Sequence, residues 1–205
     1  MKMSTSSKDR FSADILCEFF EVVVHSILYS RKIYPEAIFV QKRKYGTVVY
    51  QSVHPEINEY ITESLKAVNF HARKNQLKKL FVCFHTDTAL YEKYVFDVLD
   101  IKNILERDTF LVDLEQAFRT FYLKLHSSNF YLKDLPDDAT FSVRLMTSAY
   151  SSVEFNQQPL YEDFPWTEVT DQENIIEPAC IVPIYTIEKD FLTLQMYIEK
   201  SADVY

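Results

Sequence analysis

Glycine is nearly missing from this 205-residue chain, with Gly46 as its single example. A phosphate-cradling loop, a dinucleotide fingerprint, a nucleophile elbow and a calcium loop all need glycine where the backbone turns tightly or approaches a ligand. One glycine excludes all four. Cysteine is scarce and odd in number: Cys17, Cys83 and Cys180 are widely spaced, each inside an apolar run. That pattern predicts three reduced, buried thiols in a reducing compartment rather than a disulfide framework. The five histidines form no HExxH and no Cys/His spacing suited to zinc. Uninterrupted apolar stretches are lacking too. The start, MKMSTSSKDR, is polar and does not resemble a signal peptide, and the run from Phe11 to Tyr29 is broken by Asp14, Glu18, Glu21 and His25. Those charges argue against a membrane span.

What the chain does have is apolar and aromatic mass. Hydrophobic residues make up 47% and aromatics 15%, with 16 Phe and 14 Tyr. That composition belongs to a folded chain, and the length suits one domain burying roughly 70% of the surface its unfolded form exposes. The net charge of −8 is unevenly placed. Residues 1–147 carry 20 Lys and Arg against 19 Asp and Glu, whereas residues 148–205 carry 2 against 11. The last stretch therefore has a role of its own, and its acidity disfavours direct contact with nucleic acid. The basic cluster Lys42-Arg43-Lys44 reads as a solvated turn.

Periodicity supplies the elements. Ser12 can cap a helix running to about Tyr34, ahead of Pro35. Ile15, Phe19, Val22, Val23 and Ile27 give it a buried stripe, and Phe20, Val24 and Leu28 widen that stripe enough to predict a central helix. Two strands, Ile38 to Gln41 and Val48 to Val53, are joined across Lys44-Tyr45-Gly46-Thr47, with Gly46 supplying positive φ. His54-Pro55-Glu56 opens a second helix to about Lys74, with Pro55 at its first position. Leu80 to Phe84 and Tyr91 to Val98 read as strands, the former central. Asp108 is expected to cap a third helix, carrying Leu111, Leu114, Phe118, Phe121 and Leu125 at helical spacing. Thr140 to Met146 alternates, with Phe141, Val143 and Leu145 inward. Residues 148–158 show no periodicity, and two strand-like runs follow, Cys180 to Ile187 and Phe191 to Ile198. Strands without a helix of their own must pair with the sheet of the body or with a partner.

No catalytic constellation converges. Asp137-Asp138 after Pro136 reads as a turn, Asp163 beside Trp166 as a loop carboxylate capping local amides in preference to a catalytic acid in an apolar pocket, and His85 and His126 as structural. The chain is expected to be no enzyme and to use neither cofactor nor metal. The aromatic tail points to binding, because Trp and Tyr carry interface energy and pack on prolines, while the single tryptophan Trp166 reads equally as a core anchor.

These residues also form a longer pattern. Ile15-Leu16-Cys17-Glu18-Phe19, Glu21-Val22, Ile27-Leu28-Tyr29 and Tyr34-Pro35 come first. Ile38-Phe39, Lys42-Arg43-Lys44-Tyr45, His54-Pro55-Glu56 and Asn58-Glu59-Tyr60-Ile61 follow, then Lys93, Val95-Phe96, Glu115-Gln116, Arg119 and Lys124. Asp163-Phe164-Pro165-Trp166, Leu194-Gln195, Tyr197 and Glu199 complete the series. From about Phe11 to Glu199 the chain resembles the HORMA-domain family, in particular its mitotic-arrest-deficient-like branch, accessory subunits of translesion DNA polymerase zeta. The resemblance implies an α+β fold, three helices packed on a mostly antiparallel sheet. It divides the chain into a flexible N-terminus (1–10), a core (11–147) and a mobile C-terminal safety belt (148–205) of the same domain.

The resemblance further implies that the belt traps a proline-containing peptide of the polymerase's catalytic subunit. Tyr60 and Trp166, with Phe164 and Pro165, would grip that peptide. Ile181, Gln195 and Tyr197 would dock the C-terminal domain of the scaffold deoxycytidyl transferase of translesion synthesis. Arg119 would lie at a HORMA-to-HORMA dimer face, and a remodelling AAA+ ATPase would recycle the belt. No nucleic acid and no membrane is expected as a direct partner, and the setting is the nucleus, with the cytoplasm as a further location. Alternatives within the family are a spindle-checkpoint protein trapping mitotic regulators and a structural protein of the meiotic axis.

Overall fold

The computed structural model describes residues 5–101, 108–128, 131–148, 155, 164–170, 172–189 and 192–202. Among them run three helices, α1 (Thr5–Ser30), α2 (Pro55–Arg73) and α3 (Asp108–Ser128). The strands are β1 (Phe39–Lys44), β2 (Thr47–Ser52), β3 (Leu77–His85), β4 (Leu90–Ile101), β5 (Thr140–Thr147), β6 (Ala179–Lys189) and β7 (Leu192–Ser201).

Helix α1 lies at the centre of the molecule. Leu16, Phe19, Phe20, Val23, Val24, Ile27 and Leu28 are each at most 2% exposed, so nearly every side of the helix is covered. Phe20 meets Phe96 of β4 edge-on at 5.4 Å, and Phe19 stacks on Phe118 of α3 at 4.0 Å. Each such ring contributes about 2 kcal/mol by leaving water. The helix differs at both ends from the sequence expectation. It begins at Thr5, inside the stretch expected to be a free N-terminus, so Ser12 is a buried interior residue rather than a cap. No proline or glycine lies between Thr5 and Ser12 to stop it. It ends at Ser30, because Lys32 adopts a left-handed φ of 53° and turns the chain out before Pro35.

With one glycine available, other residues take the left-handed positions. At the β1–β2 turn Tyr45 (φ 51°) and Gly46 (φ 65°) are both left-handed, the signature of a type I′ hairpin. The Tyr45 ring is buried between Phe19 and Phe118, which holds its backbone there. At the end of α2, Asn75 (φ 54°) sends its N–H to the Ala72 carbonyl while Gln76 N–H reaches His71, a Schellman ending. Pro55 occupies the first turn of α2, as expected.

The main sheet has the order β5-β3-β4-β7-β6, and every neighbouring pair is antiparallel. Leu80, Val82 and Phe84 of β3, Tyr94, Phe96 and Val98 of β4, and Leu194, Met196 and Ile198 of β7 line the helix-side core. Phe81, Cys83 and Val95, at the alternate positions, form a smaller cluster on the outer face. The C-terminal strands thus pair with the sheet of the body. One expectation fails: Cys180 is exposed, while Cys83 is buried and Cys17 half-buried, all three as free thiols. Strand β6 is the edge of the sheet, and its first three residues stay open to solvent.

Candidate functional site

Strand β5 lies at the opposite edge from β6, and no described strand pairs with its outer side. The backbone N–H of Val143 points that way and donates to the Tyr60 hydroxyl at 3.0 Å. By the period of two, Phe141 and Leu145 turn their N–H and C=O groups to the same open edge. An extended peptide laid along it would meet the groups of Phe141 and Leu145, with the Val143 N–H between them already given to Tyr60.

Aromatic rings collect beside this edge. Tyr60 of α2 packs edge-on against Phe141 at 5.3 Å and against Phe164 at 5.7 Å. Phe164 in turn meets Trp166 at 6.1 Å, and Tyr34 reaches Phe141 at 6.2 Å. Phe164 therefore stands between Tyr60 and Trp166, while Pro165 is exposed. Burial raises the Tyr60 phenol above its ordinary value, and the Val143 N–H partly offsets that. The hydroxyl stays neutral near pH 7 and the ring offers a rigid apolar face suited to a proline.

The chain that leaves β5 must reach β6 on the far edge, four strand spacings away or about 19 Å. Its described part around Glu173 and Asn174 lies on the outer face. Arg144 of β5 donates to the Glu173 carbonyl at 2.7 Å, and Lys93 of β4 donates to the Asn174 carbonyl at 2.7 Å. Ile176 beyond them is buried. Earlier in this segment, Phe155 is buried against Phe70 and His71 at the end of α2. Most of residues 148–158 lies outside the described residues. The described part of the crossing segment thus lies on the outer face, and β5 keeps its outer edge free of any described strand.

A second face is set by register. Gln195, Tyr197 and Glu199 alternate along β7, and Ile181 of β6 pairs with Glu199. Ile181, Gln195 and Tyr197 therefore share the outer face of the β6–β7 hairpin. Ile181 is 61% exposed. Tyr197 lies half-buried beneath Lys79, whose ammonium is 3.4 Å from its hydroxyl and 2.5 Å from Asp97. A third surface lies away from both. Arg119 is exposed on α3 and approaches the β1–β2 turn at Gly46, beside a groove lined by Glu18, Lys44, Leu114 and Glu115.

Tyr34, Phe141, Lys93 and Arg144 received no binding role from the sequence. The signal for Arg144 was a charge in the outward phase of an alternating strand, which ordinarily marks a solvated position. As for nucleophiles, burial pushes the Cys17 thiol up to about 12 and Cys83 up to about 11, so both remain protonated at neutral pH.

The chain has recognisable relatives. The HORMA domain family model matches residues 12–161. Mitotic spindle assembly checkpoint protein MAD2B of Danio rerio is 34% identical over 191 residues, 92% of this chain and 90% of the relative. The Homo sapiens protein of the same name is also 34% identical, covering 93% of this chain and 91% of the relative. DNA polymerase zeta subunit 2 of Drosophila melanogaster is 28% identical, covering 91% of this chain and 96% of the relative. Among solved structures, a chain of the mitotic checkpoint complex superposes with a TM-score of 0.79 at 21% identity, covering 93% of this chain and 99% of that one. C. elegans HTP-2 bound to the HIM-3 closure motif superposes at 0.72 and 14% identity, covering 100% and 99%. Both superpositions speak to the fold alone.

Proposed function

This chain belongs to the HORMA-domain family, and from that premise we propose that it is the accessory subunit of a translesion DNA polymerase zeta, working as a non-catalytic adaptor. It captures a proline-containing peptide of the catalytic subunit by adding it to β5 and closing residues 148–178 around it. The observation that carries this reading is the unpaired outer edge of β5 with Tyr60, Phe141, Phe164 and Trp166 gathered beside it. Main-chain hydrogen bonds supply affinity, aromatic faces select the proline, and encirclement slows release. Relatives named as polymerase zeta subunits, covered over 96% and 83% of their lengths, support the assignment.

The outer face at Ile181, Gln195 and Tyr197 then docks the C-terminal domain of the translesion scaffold transferase. It is complete only with β7 on β4 and β6 on β7, so docking there depends on the closed arrangement. The surface at Arg119 meets a second HORMA protein, and a remodelling ATPase reopens the belt. The work takes place in the nucleus, the cytoplasm being a further site.

Titration calorimetry with a synthetic peptide carrying spaced prolines in an apolar stretch tests the capture site. Trp166→Ala and Tyr60→Ala are each expected to weaken binding roughly tenfold or more, a loss typical of aromatic anchors, with cooperative unfolding retained. Equal affinity for wild type and Trp166→Ala would remove this site. A checkpoint role is the second reading, since the 34% identical relatives carry that name. Preferential capture of peptides from mitotic regulators over those from the polymerase would favour it.

A further inference from the structure

Residues beyond Ser148 touch the outer face of the body at a polar contact distinct from the aromatic cluster. We infer that Arg144 and Lys93 are the fastener that holds the crossing segment down and sets how fast a captured peptide is released. The inference rests on the capture reading for its second half only.

The segment is pre-shaped for this contact. The Glu173 carboxylate accepts the Thr170 N–H at 2.9 Å and the Thr170 hydroxyl at 2.8 Å, and the Glu173 N–H donates to the Thr170 carbonyl at 3.1 Å. A closed turn thus presents the Glu173 and Asn174 carbonyls, two residues before the buried Ile176. Arg144 takes the first carbonyl and approaches the Asn174 side-chain oxygen at 3.5 Å. Lys93 takes the second. Charge-assisted bonds to carbonyls are stronger than neutral ones and tolerate any side chain on the segment they hold.

Lys93 makes the contact specific to one arrangement. It is 6% exposed, lies over the Phe81 ring, and bonds Glu199 of β7 at 2.6 Å as well as Asn174. Both described polar partners belong to the chain beyond Ser148. Lifting the crossing segment takes the Asn174 carbonyl from a buried ammonium and leaves it Glu199 of β7 alone, so unfastening is opposed. Neither cation lies in the ring cluster at Tyr60 and Trp166. Their loss is therefore expected in the release rate, with the association rate nearly untouched.

The test uses the full chain as wild type, Arg144→Met, Lys93→Met and Asn174→Ala, with two readouts. Amide hydrogen exchange in the unliganded protein reports fastening directly. Displacement of a fluorescein-labelled, proline-spaced peptide reports release. Arg144→Met is expected to raise exchange across residues 172–178 and to speed dissociation roughly tenfold each, with association changed less than about twofold. Lys93→Met is expected to do more. Asn174→Ala, which keeps the backbone carbonyl, stays near wild type. Arg144 is half-buried at a sheet edge, so its variant decides the matter even where Lys93→Met fails to fold. Unchanged exchange in Arg144→Met overturns the fastener, as does faster exchange with an unchanged dissociation rate. Absence of peptide retention by wild type sinks the capture reading instead, and the exchange data still decide the fastener.

Discussion

His25 shows how a single residue acts through its surroundings. It sits in α1 at 2% exposure and accepts the Ser52 N–H at Nδ1, 3.3 Å away. Burial lowers its imidazole to about 4, against about 6.5 in an unfolded chain. The unfolded state therefore binds the proton first. The stability contributed by a neutral His25 is complete above pH 6.5 and is lost as pH falls toward 4. Between pH 7 and 5 this loss amounts to about 2 kcal/mol. His25→Asn keeps an acceptor for Ser52 and is expected to flatten that part of the pH profile, whatever its cost at pH 7. Urea unfolding of both proteins at the two pH values checks it; parallel profiles would assign the acid sensitivity elsewhere.

Among elements, β5 acts through its backbone in the proposed capture: the Val143 N–H, already given to the Tyr60 hydroxyl, marks the outward phase that Phe141 and Leu145 share. Pairing with an added strand uses alternate ligand amides. N-methylating one alternate set in the captured peptide is expected to weaken binding at least roughly tenfold, while the other set is tolerated, since each lost ladder bond costs about 1 kcal/mol and methyl groups also clash. Equal tolerance of both sets in a competition assay would rule out strand addition. The β6–β7 hairpin has a different task. Its inner face completes the core with Leu194, Met196 and Ile198, and its outer face displays Gln195, Tyr197 and Ile181.

At the scale of the molecule, one crossing connects these parts. Because the C-terminal strands pair at β4 while the chain leaves from β5, residues 148–178 must connect the two, and the same pairing sets the outer face of the β6–β7 hairpin. That face and the edge of β5 remain chemically separate surfaces. Tyr197→Ala is expected to abolish scaffold docking while peptide affinity stays within about twofold, because Tyr197 touches Lys79 on the outer face and none of the aromatic cluster. A pull-down in which both partners persist would contradict this. The buried pair Arg31–Glu92 (2.8 Å) ties the start of β4 to the end of α1, with Arg31 also donating to the Lys133 carbonyl, and burial pushes the Glu92 carboxyl up to about 7.

The sequence by itself determined the elements and their class. Helical spacing in α1 and α2, alternation in β5, Pro55 at the start of a helix and the change of charge at Ser148 are local patterns, written wherever an apolar face must be buried. Gly46 was legible for the same reason, since a hairpin turn states its backbone need in one residue. The ends of α1 were not, because they depend on whether Lys32 and the residues before Ser12 find tertiary support. Only the tertiary structure decided where the terminal strands pair, and hence which edge stays open. It also decided that Phe141 and Phe164 join Tyr60, and that Lys93 and Arg144 meet two backbone carbonyls. Such contacts join residues far apart in the chain and involve groups every residue possesses, so no spacing or composition can announce them.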